Sequence, residues 1–163
     1  MPNHETEYKI YLSRLEGIIF DLDGTLLNTE KLKFLTYHDE LKNNIGIKSE
    51  KLTALKNLYI SLVGSPDIDV AKKIFETFEI QNISNNPIYS STKPWEKFYE
   101  IIMHRYYLSH GSEESLKQNT FNQALNILRE YKTLGKKIAI ATSSTKKEAL
   151  RIIKIINLKD KFD

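Results

Sequence analysis

Apolar residues along this chain fall into two kinds of pattern: short unbroken runs, and longer stretches with a helical period. The first run is Gly17-Ile18-Ile19-Phe20-Asp21-Leu22. It is too short for a helix and reads as a buried strand, because parallel strands covered on both faces lose the polar alternation. It stops at Asp23-Gly24-Thr25, a turn signature. The second run, Ile138-Ala139-Ile140-Ala141, follows Gly135-Lys136-Lys137 and ends in Thr142-Ser143-Ser144. It reads as a second buried strand.

Between the two runs the apolar spacing is helical. Leu32, Leu35 and Leu41 predict one helix; Leu52, Leu55, Tyr59 and Leu62 predict another, with Ser49 as its N-cap. Ser65-Pro66-Asp67 restarts a helix, with Ser at the N-cap and Pro in the first turn, where its missing N–H costs nothing. Val70, Ala71, Ile74, Phe75 and Phe78 give that helix an apolar face. Residues 82–93 form a polar loop, and Pro94 opens a helix with Trp95, Phe98, Tyr99, Ile102 and Tyr106 on one side. A helix over residues 122–134 carries Ala124, Ile127, Leu128 and Tyr131, with Gly135 as its terminal glycine. Thr145 and Glu148 fit a capping box, opening a last helix with Ala149, Ile152, Ile153 and Ile156. A short helical turn is expected over residues 8–15.

The order is therefore strand, helical insertion, helix, strand, helix. It predicts an α/β chain in which two parallel strands are joined by a right-handed crossover. Residues 32–115 read as a helical subdomain spliced into a core made of residues 1–31 and 116–163. A length of 163 residues, 40% of them hydrophobic and 28% charged, suits one globular domain with an insertion. The absence of cysteine excludes disulfides, thiolate catalysis and cysteine-based zinc sites. The formal charge is +3, but the basic residues are dispersed and form no stripe of the kind nucleic acid requires. Residues 1–7 are polar and carry no signal-peptide pattern, and no apolar run approaches the ~18 residues a membrane span needs. The expectation is a cytoplasmic protein with neither a nucleic-acid nor a membrane partner.

Candidate chemistry centres on Asp21 and Asp23. They stand one residue apart at the C-terminal end of an apolar strand, where open α/β sheets bind ligands. Asp-x-Asp suits phosphoryl transfer: one carboxylate attacks phosphorus and the other moves a proton to the leaving oxygen and from the hydrolytic water. Gly24 allows the sharp turn that follows, and paired oxygen ligands suit a hard cation such as Mg²⁺. On these residues alone, a plain acidic strand-to-loop turn stands as an equal alternative. A calcium loop does not, since its third acid and terminal Glu are missing. Taken alone, Thr142 and Ser144 read as helix-capping residues. Lys31 and Lys33 read as solvated helix charges, and the Trp95, Tyr99 and Tyr106 stripe reads as core. His4, His38, His104 and His110 show no metal-ligand spacing.

The stretch Ile18-Ile19-Phe20-Asp21-Leu22-Asp23-Gly24-Thr25-Leu26-Leu27-Asn28-Thr29-Glu30 resembles motif I of the haloacid dehalogenase superfamily. The likeness is to the branch with a helical cap inserted just after this motif, that of the phosphoglycolate phosphatases and β-phosphoglucomutases. Asn28 stands where that branch usually has Asp. Ile138 to Ser144 resembles motif II. The resemblance implies a Rossmann-like parallel-sheet core, here with two recognisable strands, and an inserted helical cap. It implies an Mg²⁺-dependent phosphatase acting on a small phosphorylated metabolite through an aspartyl-phosphate. Asp21 is then the nucleophile and Asp23 the acid/base. Gly24, Thr25, Thr142 and Ser143 bind phosphate, Thr142 through its hydroxyl and Ser143 through its N–H, aided by the helix N-terminus that follows. Asp21 by its side chain and Asp23 by its carbonyl hold Mg²⁺.

Asp23 and Thr25 favour phosphate over carbon–halogen chemistry. No His in residues 31–34 and no Arg in residues 64–67 argues against the alternative of a sugar phosphomutase. The family's Lys and second acid pair are expected beyond the position of Asp163; neither Asp160 nor Asp163 is assigned as a ligand. The chain is accordingly expected to be truncated and inactive alone. Two alternatives stand beside that expectation: half of a split enzyme with a complementary C-terminal chain as partner, and a non-catalytic remnant serving as an interaction module.

Overall fold

The computed structural model describes residues 14–83, 87–90, 92–159 and 162. Most of the turn expected over residues 8–15 lies outside the described residues, as do Asp160, Asp163 and part of the loop at 82–93. In chain order the elements are β1 (Gly17–Phe20), α1 (Thr29–Asp39), α2 (Ser49–Leu62), α3 (Asp67–Thr77), α4 (Ile80–Ile83), α5 (Pro94–Leu108), α6 (Glu113–Gln118), α7 (Asn122–Thr133), β2 (Lys137–Ile140) and α8 (Lys146–Ile155). A π-helical turn, Glu40–Ile45, prolongs α1, and a 3-10 turn, Pro87–Ser90, precedes α5. The chain divides into two compact units, residues 1–28 with 119–163, and residues 29–118.

In the first unit β1 and β2 pair in parallel, Gly17 opposite Lys137 and Phe20 opposite Ile140. This is the α/β, parallel-sheet architecture that the two apolar runs predict. The strands are shorter than those runs, for a local reason. The Leu22 carbonyl accepts from the N–H groups of Leu26 and Leu27 at 2.9 and 3.3 Å, so the chain curls out of the ladder after Phe20. Gly17 leaves no room for a side chain against β2: a Cβ there would lie 2.9 Å from the Lys137 carbonyl oxygen. Ile138 is fully buried, α7 packs against β2, and Leu125, Leu128 and Tyr131 of α7 and Ala149 and Ile152 of α8 are buried as well. The α7 stripe differs from the predicted one, since Ile127 is exposed and Leu125 takes its place. Thr145 caps α8, accepting from the Glu148 N–H at 3.3 Å, as the capping box predicts. β1 is covered only in part: Ile18 and Phe20 are half-buried and Ile19 is 71% exposed.

In the second unit the described residues form helices and turns and no strand. Its core gathers Tyr37, Leu55, Tyr59, Ile74, Phe75, Phe98 and Ile102. The Phe75 and Phe98 rings lie 5.7 Å apart at a tilt, the arrangement that ring quadrupoles favour. Pro94 opens α5 as predicted. Ser49 and Ser65 are not caps: Lys48 and Pro66 hold the N-cap positions of α2 and α3, neither with a side-chain bond. Asp67 and Asp69 instead place negative charge at the positive N-terminal end of the α3 dipole.

The π turn buries Glu40, which is 3% exposed, against Arg105 of α5. Asn44 donates a second bond to the same carboxylate at 3.0 Å. Burial pushes the Glu40 carboxyl above its ordinary range, and the Arg105 charge and the Asn44 bond hold that rise in check. Lys33, read from sequence as a solvated charge, is mostly buried and bonds Asp67 at 2.9 Å. No helix among the described residues is long and apolar enough to cross a membrane.

Candidate active site

The sequence Asp21-Leu22-Asp23-Gly24-Thr25-Leu26-Leu27 alternates what is anchored with what is presented. Leu22, Leu26 and Leu27 are all fully buried. They fix the loop from three points and leave Asp21 exposed and Asp23 half-buried at the end of β1. Gly24 makes the turn, at φ 79°, where a side chain would be strained. Its N–H donates to the Leu27 carbonyl at 2.7 Å and closes the loop. Two further backbone bonds clamp the loop to the segment before α7: Asn28 N–H to Asn119 O, and Phe121 N–H to Leu26 O, both 2.9 Å.

The far side of the site comes from β2. Ala141 still donates to the Phe20 carbonyl at 2.9 Å, which sets Thr142 level with the Asp21–Asp23 turn. The Thr142 hydroxyl donates to Asp23 Oδ2 at 3.1 Å and accepts from the Ser144 N–H at 3.0 Å. The Ser144 hydroxyl donates to the same Asp23 Oδ2 at 2.7 Å. The Thr25 hydroxyl donates to Asp21 Oδ2 at 3.1 Å. Residues 119 and 121 positions apart in sequence thus meet through one carboxylate oxygen.

Of the six residues singled out in the sequence, the structure brings Asp23 and Thr142 into direct contact and pairs Thr25 with Asp21. Gly24 forms the turn between the acids and Thr25. Ser143 is exposed and makes no side-chain bond to either aspartate among the described residues. Ser144, which on its own reads as a capping residue, joins them. The α8 cap is Thr145, which leaves the Ser144 hydroxyl for Asp23. The available signal was position: Ser144 lies two residues past Thr142, within the same tight turn.

Among the described residues, no group of three His, Asp or Glu side chains is arranged to hold a metal ion. Magnesium asks less than that. It keeps several waters and binds through one or two carboxylates with the substrate's phosphate. The exposed Asp21 carboxylate, with one oxygen engaged by Thr25, fits that limited requirement.

The parallel strand pair thus carries two aspartates on a glycine turn, faced by a Thr-Ser-Ser turn from the neighbouring strand. The family model of the haloacid dehalogenase-like hydrolases matches residues 18–163, and the chain belongs to that family. A search of curated proteins found no match.

Proposed function

We propose that this chain is a phosphatase-type hydrolase that uses Mg²⁺ and passes a phosphoryl group through Asp21. The observation that carries the reading is the meeting of Asp23 with Thr142 and Ser144 next to an exposed Asp21. It supplies in one place a nucleophile, a proton-transferring carboxylate and, in Thr142, a hydroxyl donor for an oxyanion. In this reading the Asp21 carboxylate attacks phosphorus and the bond to the leaving oxygen breaks. Asp23 gives that oxygen a proton, then takes one from the water that cleaves the aspartyl-phosphate. The Thr142 hydroxyl and the Ser143 N–H hold equatorial oxygens, at the N-terminal end of α8 where the helix dipole favours negative charge. Thr25 orients Asp21. Bound by the Asp21 side chain and the Asp23 carbonyl, Mg²⁺ would neutralise charge shared by nucleophile and phosphate.

The substrate class is a small phosphorylated metabolite, and the second unit acts as a helical cap. Support for the cap lies in its position, beginning one residue after the motif I loop closes at Asn28, and in its wholly helical described structure. The test is hydrolysis of p-nitrophenyl phosphate by the full chain, with Mg²⁺ and with chelator. Turnover should be slow, because the one side-chain bond to Asp21 among the described residues comes from Thr25 and no cation is set against it. A missing electrostatic donor of this kind costs about 100- to 1000-fold. It should nonetheless exceed that of Asp21→Asn and depend on Mg²⁺. Equal turnover in the two proteins would refute the reading.

A further inference from the structure

The Thr142 hydroxyl has one proton, and that proton is given to Asp23. The proposed function needs the same proton for an oxygen of the phosphoryl group. Both cannot hold at once. Asp23 Oδ2 takes two hydroxyl donors at 3.1 and 2.7 Å, the shorter from Ser144. A carboxylate oxygen bonded by two hydroxyls is a close chemical stand-in for a phosphoryl oxygen.

We propose that Thr142 and Ser144 clasp the Asp23 carboxylate as an internal competitor for phosphate, so that phosphoryl binding and release of Asp23 are a single exchange. The inference rests on the phosphatase reading. In the exchange, Thr142 turns its O–H from Asp23 to the incoming phosphoryl oxygen, and Asp23 is freed toward the leaving group. No covalent bond changes. Ser144 is then a positioning residue. It acts on the ligand only through Asp23, and it sets how firmly Asp23 is held against exchange with an anion. The device has a plain use. The acid/base carboxylate and the phosphate repel each other, and a clasp that opens only on exchange keeps Asp23 ordered without leaving it to oppose every approaching anion.

The consequence runs against the ordinary outcome of deleting a polar group from a site. Ser144→Ala removes the shorter of the two bonds, changes no charge and takes no donor from the phosphoryl group. It should therefore tighten binding of inorganic orthophosphate to the full chain by about tenfold, the worth of one hydrogen bond to a charged group. Ser144→Thr, which restores the hydroxyl, should return affinity to the wild-type value. Thr142→Val should weaken binding, because it removes the donor itself. The measurement is calorimetric titration with orthophosphate at fixed Mg²⁺, with circular dichroism of each variant alongside. Should Ser144→Ala fold poorly, Asp23→Ala and Asp23→Asn replace it: both lose the charge, but only Asn keeps an acceptor for the two hydroxyls, so Ala should bind orthophosphate more tightly than Asn. If wild type binds and Ser144→Ala binds equally or more weakly, the clasp is refuted and the phosphatase reading stands. If neither wild type nor any variant binds orthophosphate, both are refuted.

Discussion

At the scale of single residues, the two aspartates differ in setting more than in sequence. Asp21 is exposed and takes one hydroxyl bond, and Asp23 is half-buried and takes two. The roles they are given separate under two donors. Acetyl phosphate has a leaving group that needs no proton, so Asp23→Asn should still be phosphorylated on Asp21 by it. Hydrolysis of p-nitrophenyl phosphate and release of the adduct to water should fall about 100-fold or more. Steady-state rates and single-turnover labelling check this. In the second unit, Asp39 shows a charge effect with a definite sign. Burial would raise its carboxyl, but His110 at 2.9 Å and His38 at 3.2 Å outweigh burial and hold it below its usual range. A depressed carboxyl stabilises the fold above its unfolded pKa, and that contribution is lost as pH falls through the lower, folded value. Between wild type and Asp39→Asn, the stability difference should therefore shrink below about pH 4. Urea titrations at several pH values measure it.

At the scale of elements, Glu40 and Arg105 tie the π turn to α5. Arg105→Met leaves a carboxylate that is 3% exposed without its cation. The expected cost is about 1–3 kcal/mol at neutral pH. Because burial raises the Glu40 carboxyl, the cost should diminish as pH drops and Glu40 protonates; thermal melts at pH 7 and pH 5 compare the two. In the first unit, Gly17→Ala would press a methyl against the Lys137 carbonyl at 2.9 Å. Overpacking of this kind costs about 1–3 kcal/mol and should appear as a lower urea midpoint.

These elements also mark how far the sequence can be read. The strands, α3, α5 and the Thr145 cap were legible because each is settled locally, by an apolar run, a clean stripe, a Pro or a capping pair. The exposure of Ile19 was not legible in its run, because an apolar run is the same whether one face or both is covered, and coverage is a tertiary fact. The α7 stripe was misread for a related reason: Ala124 and Ile127 fit a helical face as well as Leu125 does. The π turn and the Glu40–Arg105 pair join positions far apart in the chain, and no local pattern announces them.

At the scale of the whole molecule, the chain is a haloacid dehalogenase-like hydrolase with a two-stranded parallel sheet carrying its acids at one end. Asp21, Asp23 and Thr142 could be named from the motifs, since spacing within a motif survives folding. Ser144 could not, because its role depends on Thr145 taking the cap and on a contact across 121 positions. The account stands on Asp21 as the atom-bearing nucleophile. The most direct measurement is to treat the full chain with acetyl phosphate and Mg²⁺, quench in acid and locate the phosphoryl group by peptide mass spectrometry. The account predicts an acid-stable, hydroxylamine-sensitive adduct on Asp21 that is absent from Asp21→Asn. A phosphoryl group on Asp23 or Ser144 instead, or equal labelling of the Asp21→Asn chain, would contradict it.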